Sequence, residues 1–403
     1  MSYYVISYGS DYEHRGRVNI DLVDEKSIDA ANGREGDFAD IFRHIIIYAL
    51  ELDGREYLRY FDESFRTVDE RASLFKVNIA DTTLDGYGHY FDRHLGSRVS
   101  SEDADVLPLH GMLKFEVAEK IDDGRTHSVK EAVRSLLSYH PIEPIDIEEV
   151  RNWWKKKTSG SKDFTFKVHN VGQGLATSIA KAECAPFFFF DYGLGTRQNA
   201  HTIPPVVNLD MEEESVIVLS HLHDDHWCGT NVNPYALSAT WIVPNQVRFL
   251  RFNNFAQSIW DNGGRVLEYD DTLAVGPLVV DHDCTGTFIG KHITGFGMRI
   301  NAFRPGAEPH GFNIYVGGDQ NYNRQKNALM HNLDILVAAH HGGPYGPNSG
   351  MGRITSKTDS LIIYSYGIGN SHGHPSRVAD YHGWGARFDT ATGGDYAVAI
   401  CFV

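Results

Sequence analysis

From about residue 164 onward, short apolar runs recur, and several close on Gly, Asp or His. Ten of them read as strands: 164–168, 176–180, 187–190, 216–219, 241–243, 278–280, 297–300, 314–316, 335–338 and 361–364. The first part has a different texture. Segments 3–7, 18–23 and 106–117 read as strands or strand-like pieces. Apolar spacing over 37–52 and 129–139 predicts helices. A further helix is expected over 145–156, opening with acids and closing with lysines as the helix dipole favours. A polar Gly/Ser stretch follows at Lys157-Thr158-Ser159-Gly160-Ser161-Lys162 and marks a seam. The expected organisation is a mixed α+β accessory domain over 1–160 and a second domain over 161–403.

Composition bounds the reading without deciding it. A length of 403 residues favours two domains, and 42% hydrophobic residues suffice for a sizeable core. No apolar run approaches the roughly 20 residues of a membrane-spanning helix, so no membrane partner is expected. The start, Met1-Ser2-Tyr3-Tyr4-Val5-Ile6-Ser7, lacks the features of a signal peptide. The four cysteines form no C-x-x-C pair, as expected of reduced thiols in the cytoplasm. A net charge of −16 weighs against a broad nucleic-acid footprint. Bound divalent cations would reverse that sign locally.

The chemistry concentrates at strand ends. Directly after the strand 216–219 comes Ser220-His221-Leu222-His223-Asp224-Asp225-His226. Imidazole and carboxylate are the side chains that hold zinc, manganese or iron at neutral pH, and the spacing H-x-H-x-D-H lets them diverge toward two ions. Surface histidines on a loop are the bland alternative, and the density of the cluster argues against it. Three later strands end in similar groups: Gly318-Asp319, His340-His341-Gly342, and Gly373-His374-Pro375. Each alone is ordinary, since Gly-Asp is a common turn and paired histidines are often solvated. Their shared position after strands gives them weight together. These features point to a hydrolytic metalloenzyme.

In their order, these motifs resemble the metallo-β-lactamase superfamily, and within it the ComEC/Rec2-type hydrolase domains, over about 163–403. Val168-His169-Asn170-Val171-Gly172-Gln173-Gly174 resembles that group's opening D-V-G-Q-G-D turn. Residues 187–190 with Asp191-Tyr192-Gly193 resemble its apolar strand ending in Asp-Thr-Gly. The later Gly-Asp, His-His-Gly and Gly-His-Pro follow in sequence. Departures are Asn170 for the first Asp, Leu175 for the acid after Gly-Gln-Gly, and Tyr192 for Thr or Ser. The superfamily's usual third ligand of the first metal has no clear counterpart before Asp319. His282 and His292 are the alternatives, although the ComEC-type pattern draws its later histidines from the last two motifs.

The resemblance implies an αββα sandwich with two divalent metal ions at one edge, zinc first, manganese or iron otherwise. By that carry-over His221 and His223 hold the first metal, Asp225 and His226 the second, and Asp319 bridges both. His340 or His341, with His374, would complete the shells. Asp225 would orient the attacking water, and whichever of His341 and His374 is not a ligand would protonate the leaving group. Asp191 is expected to steady a ligand histidine or its loop. Gly172, Gly174, Gly193, Gly318 and Gly342 fit tight turns, and Cys228 reads as a small buried residue.

The expected function is a metal-dependent phosphodiesterase or nuclease acting on DNA. The alternative is hydrolysis of a small substrate: a cyclic nucleotide, lactone, thioester or lactam. A third reading makes the chain the effector subunit of a multi-protein defence-type system, with a protein partner on the N-terminal domain. Tyr57, Tyr60, Phe61, Phe65, Tyr87, Tyr90 and Phe91 are candidate base-stacking residues, with a core role as the simpler reading. Arg151, Lys155, Lys156, Lys157 and Lys162 are candidate phosphate contacts, or simply a solvated helix end.

Overall fold

The computed structural model describes residues 142–403 except 247–249, 270, 282–294, 307–309, 321, 323–324, 326, 344–353, 382 and 403. Before residue 142 it describes the backbone of six strands. The chain divides into two compact units: residues 1–141 with 247–258, and residues 142–246 with 259–403.

The strands of the first unit are β1 (Ser2–Asp11), β2 (Arg17–Asp24), β3 (Ile47–Asp53), β4 (Ser73–Ile79), β5 (Leu107–Pro108) and β6 (Phe115–Lys120). They form one sheet in the order β5-β3-β2-β1-β4-β6. The strands expected at 3–7 and 18–23 are its central pair, antiparallel with Val5 opposite Leu22. The helix expected over 37–52 is corrected in its second half. Residues 47–53 are β3, antiparallel to β2 with Ile20 opposite Leu50. The run Ile45-Ile46-Ile47 explains the difference, because β-branched side chains favour strands and a short apolar run fits either period. The helix expected over 129–139 and the stacking aromatics named above lie outside the described residues.

The second unit opens with β7 (Ile142–Pro144), and helix α1 (Ile147–Thr158) follows. Asp146 caps α1 by accepting hydrogen bonds from the backbone N–H of Glu148 and Glu149. The boundary between units thus falls at residue 142 rather than near 160. Two facts account for this. Strand β7 pairs with a strand of the second unit. Val150 and Trp154, four residues apart on one face of α1, are buried in the second unit's core. Trp154 packs against Phe187, Phe188 and Phe402, with ring centroids 5.6–6.0 Å away.

The remaining strands are β8 (Asp163–Val168), β9 (Ala176–Lys181), β10 (Pro186–Tyr192), β11 (Val216–Val218), β12 (Thr240–Pro244), β13 (Arg265–Tyr269), β14 (Leu273–Val275), β15 (Leu278–Asp281), β16 (Gly297–Phe303), β17 (Gly311–Val316), β18 (Leu333–Val337), β19 (Ser356–Tyr364), β20 (Ala386–Asp389) and β21 (Tyr396–Cys401). All ten strands read from the sequence are present. Helices α2 (Leu250–Asp261) and α3 (Thr390–Gly393) complete the α+β set. Neighbouring strands run in the order β20-β19-β18-β17-β16-β21-β8-β9-β10-β11-β12-β13-β7, with β14 and β15 beside β16.

This path folds back on itself. Val216, Val218 and Ile242 near one end share a single buried cluster with Ile314, Val316, Ile335, Val337 and Ile363 near the other. Two sheet halves therefore face each other across one core, as in a sandwich. The alternate positions Tyr315, Leu336, Ile362 and Tyr364 point the other way, into a second cluster with Tyr322, Leu329 and Met330. Both faces of β17, β18 and β19 are covered, which is why these strands read as unbroken apolar runs. Each half carries a parallel group: β10-β11-β12-β13-β7 in one, β17-β18-β19-β20 in the other. The carboxyl ends of β10, β11, β17, β18 and β19 lead into the motif residues.

Among the described residues no helix is long and apolar enough to cross a membrane. Replacing Trp154 by Ala should cost about 3–5 kcal/mol of unfolding free energy, the range for removing a large core aromatic. Urea denaturation followed by circular dichroism checks this, and an unchanged midpoint would contradict the packing role of α1.

Candidate metal centre

Strand ends from both sandwich halves bring six side chains together around Asp319. Strand β11 runs into Ser220 and the turn that carries His221, His223, Asp225 and His226. Strand β17 leads through Gly317-Gly318 to Asp319, and β18 leads to His340 and His341. Two local devices close the gap between them. Gly318 has φ +54°, and a Cβ there would lie 2.4 Å from Ser220 Cβ, so the Asp319 turn can press against Ser220 only with glycine. His340 and His341 both adopt left-handed backbone, φ +50° and +54°. Non-glycine residues pay for that conformation, which persists when surrounding contacts impose it. Here the His340 N–H donates to Gly318 O at 3.0 Å, and the Ala339 N–H donates to the Tyr322 hydroxyl at 3.0 Å.

The Asp319 carboxylate, buried at 3% exposure, divides the cluster. Its Oδ1 lies 3.3 Å from His226 Nε2 and 3.6 Å from His341 Nε2. Its Oδ2 lies 3.9 Å from His221 Nε2 and 3.7 Å from His340 Nε2. His223 joins the Oδ2 side, its Nδ1 3.0 Å from His221 Nε2. Asp225 joins the Oδ1 side, 3.9 Å from His226 Nε2 and 3.6 Å from His341 Nε2. Ligand atoms of Asp225, His226, Asp319 and His341 all lie within 4.8 Å of one another, which suits a single cation. The buried Nε2 atoms of His226 and His341 have no hydrogen-bond partner. Such orphaned lone pairs are costly unless something else engages them.

The electrostatics of the cluster are those of a cation site. Burial pushes the Asp319 carboxyl up, but His226, His340 and His341 outweigh it and hold Asp319 well below the usual carboxylate range. Asp225 is lowered in the same way, against burial, chiefly by His226 and His341. Burial opposes charge on His226, yet Asp191, Asp319 and Asp225 raise it well above its ordinary value.

Around the cluster, the Nδ1 atoms of three imidazoles are tied down. His226 Nδ1 lies 2.8 Å from Asp191 Oδ2, and Asp191 Oδ1 accepts from the Ser220 N–H at 2.6 Å. Asp191 thus steadies a cluster histidine and its loop, the place expected of it. His341 Nδ1 faces the Ser365 carbonyl at 2.6 Å, and His221 Nδ1 faces the Ser220 hydroxyl at 2.9 Å. The contributions of Ser220, Ser365 and Tyr322 were not legible beforehand. Ser220 is the one with a signal, since it abuts the first histidine.

His374 stands beside this cluster rather than in it. Its ring centroid is 4.8 Å from that of His340 and 6.0 Å from that of His341. Burial, with His341 and His372 nearby, lowers it to about 3, so it is neutral. Of the two places open to His341, ligand or acid, its Nε2 lies among the cluster's ligand atoms. The basic face of α1 is largely occupied: Lys156 pairs with Glu214 at 2.5 Å and Lys157 with Glu212 at 3.1 Å. Cys228 is buried, as expected. His282 and His292 lie outside the described residues.

No family model matches the chain, and no curated protein matches it. Among solved structures, it is similar to the metallo-beta-lactamase fold protein YhfI from Bacillus subtilis, at 13% identity over 58% of this chain and 99% of that chain, with a TM-score of 0.33. It is also similar to a diphosphatase from the PhnP family, at 11% identity over 60% of this chain and 99% of that chain, with a TM-score of 0.33. A long form RNase Z from yeast aligns at 10% identity over 73% of this chain and 46% of that chain, with a TM-score of 0.26.

Proposed function

We propose that this protein is a binuclear metal-dependent hydrolase that cleaves phosphodiester bonds, with DNA as its substrate. The observation behind the metal reading is the division of the Asp319 carboxylate, each oxygen facing its own pair of imidazole nitrogens. The donor set fits: imidazole nitrogens and carboxylate oxygens suit zinc, manganese or iron, and the orphaned Nε2 atoms of His226 and His341 offer lone pairs inward. His221, His223, His340 and Asp319 would hold one ion. Asp225, His226, His341 and Asp319 would hold the other.

Two such ions lower the pKa of an attacking water and stabilise the entering and leaving oxygens of a displacement. The residues supply orientation. Asp191 and the Ser365 carbonyl hold the Nδ1 protons of His226 and His341, which turns both Nε2 lone pairs toward the cluster. Asp225, kept ionised by His226 and His341, accepts a hydrogen bond from the water and aligns it. His374, outside the ligand set and neutral, is the imidazole that contacts the substrate. The DNA reading draws on the resemblance of the six motifs to ComEC/Rec2-type domains, with the N-terminal unit selecting the substrate.

A small-substrate hydrolase is the second reading. The net charge of −16 and the pairing of Lys156 and Lys157 with acids favour it. Incubating the zinc- or manganese-loaded protein with plasmid, single-stranded DNA and bis-p-nitrophenyl phosphate separates the two readings. Cleavage of all three is expected, and cleavage of none overturns the phosphodiesterase reading.

Two variants test the metal reading. Asp319→Asn should reduce hydrolysis to background and lower the metal content measured by mass spectrometry, because one shared ligand serves both ions. Asp191→Asn should weaken metal affinity about 10- to 100-fold, the usual effect of losing a partner behind a ligand histidine. Its amide N–H would face His226 Nδ1 and move the proton to Nε2. Competition with a zinc chelator measures the change.

A further inference from the structure

Gln173 is fully buried in the Gly172-Gln173-Gly174 turn between β8 and β9. Its backbone N–H donates to Thr202 Oγ1 at 2.9 Å, which anchors the turn. Its side chain bridges to the loop that carries His374. The Gly367 N–H donates to Gln173 Oε1 at 3.4 Å, so that end of the amide is the oxygen. The other end, Nε2, lies 3.2 Å from His374 Nδ1.

An amide NH₂ has hydrogens to give and no lone pair to offer. His374 Nδ1 must therefore be the acceptor, and a protonated Nδ1 would meet another donor head-on. The single proton of the neutral ring then resides on Nε2. This inverts the arrangement at His226 and His341, where a carboxylate and a carbonyl accept from Nδ1 and leave Nε2 bare. His374 Nε2 lies against Gly343, on the turn that follows His340 and His341, where an added Cβ would come within 2.4 Å of it. The loop itself is held by Asn370, whose side chain accepts from the His374 N–H at 3.0 Å and donates to the His374 carbonyl at 2.7 Å.

We propose that Gln173 is a positioning residue that locks His374 as its Nε2–H tautomer, so that His374 offers a hydrogen-bond donor to a substrate oxygen rather than a lone pair to a metal. The part concerning substrate rests on the hydrolase reading above. The tautomer does not depend on it.

The Gln173→Glu variant provides the test. A glutamate of the same length can still accept from Gly367, but its carboxylate draws the proton onto His374 Nδ1 and leaves Nε2 bare. Nitrogen-15 NMR of the full-length, histidine-labelled protein reads this directly, with the His374 signals assigned by their loss in His374→Asn. The wild type should show a protonated Nε2 and a bare Nδ1, and Gln173→Glu the reverse. For bis-p-nitrophenyl phosphate, kcat should fall about 10²-fold, the scale of losing one oriented donor. KM and metal content should stay nearly constant. Should Gln173→Glu fail to fold, Gln173→Met removes the donor at similar size and should give mixed tautomers with a smaller drop in kcat. A proton on Nδ1 in the wild type overturns the proposal, as does an unchanged kcat once the tautomer has reversed. A wild type that cleaves nothing sinks the hydrolase reading, and the NMR result still decides the tautomer.

Discussion

A carboxylate shut away from water among ring nitrogens is costly to build, and that cost organises this site. Asp319 gives up hydration, which its surroundings must replace with positive charge or a cation. Four imidazoles do so, two toward each oxygen. They cannot come from one element. His221 and His226 follow β11 in one half of the sandwich, while His340 and His341 follow β18 in the other. The cluster forms because the carboxyl ends of both parallel groups open at one edge of the folded sheet. The left-handed backbone at His340 and His341, and the glycine demanded at 318, are local costs accepted to bring those ends into contact.

Three histidines around the cluster share one arrangement, and His374 differs from them. Each of His221, His226 and His341 has its Nδ1 against an oxygen, so Nε2 is directed toward Asp319. At His374 the Nδ1 partner is the nitrogen of an amide, which reverses the polarity of the ring. Imidazoles in a common pocket can thus take opposite chemical roles because their outer partners differ. Such partners set which nitrogen bears the proton, and with it whether the histidine binds a metal or donates to a ligand.

The extent of what could be read beforehand follows from how local each signal is. Ten strands of the second unit were visible, β17, β18 and β19 among them because both their faces are covered, which leaves apolar runs that need no partner to recognise. Strand β20, Ala386-Arg387-Phe388-Asp389, lies at the end of the sheet path and carries no such run. The run at 45–47 fits helix and strand alike, and only pairing with β2 decides it. The capped, charge-ordered helix α1 was recognisable from its own residues. Its allegiance to the second unit was not, because that rests on Trp154 meeting Phe187, Phe188 and Phe402.

The types of side chain, their order and their placement after strands were all written in the chain itself, since chemistry and strand propensity are properties of neighbouring residues. That determined the α+β class and which histidines and acids could gather. Which nitrogen faces which oxygen was settled only by the tertiary structure. The orientation of His226, His341 and His374 depends on Asp191, Ser365 and Gln173, which stand 35, 24 and 201 positions from them. A hydrogen bond across such distances has no local signature, because it exists only once two sheet halves have closed over a common core.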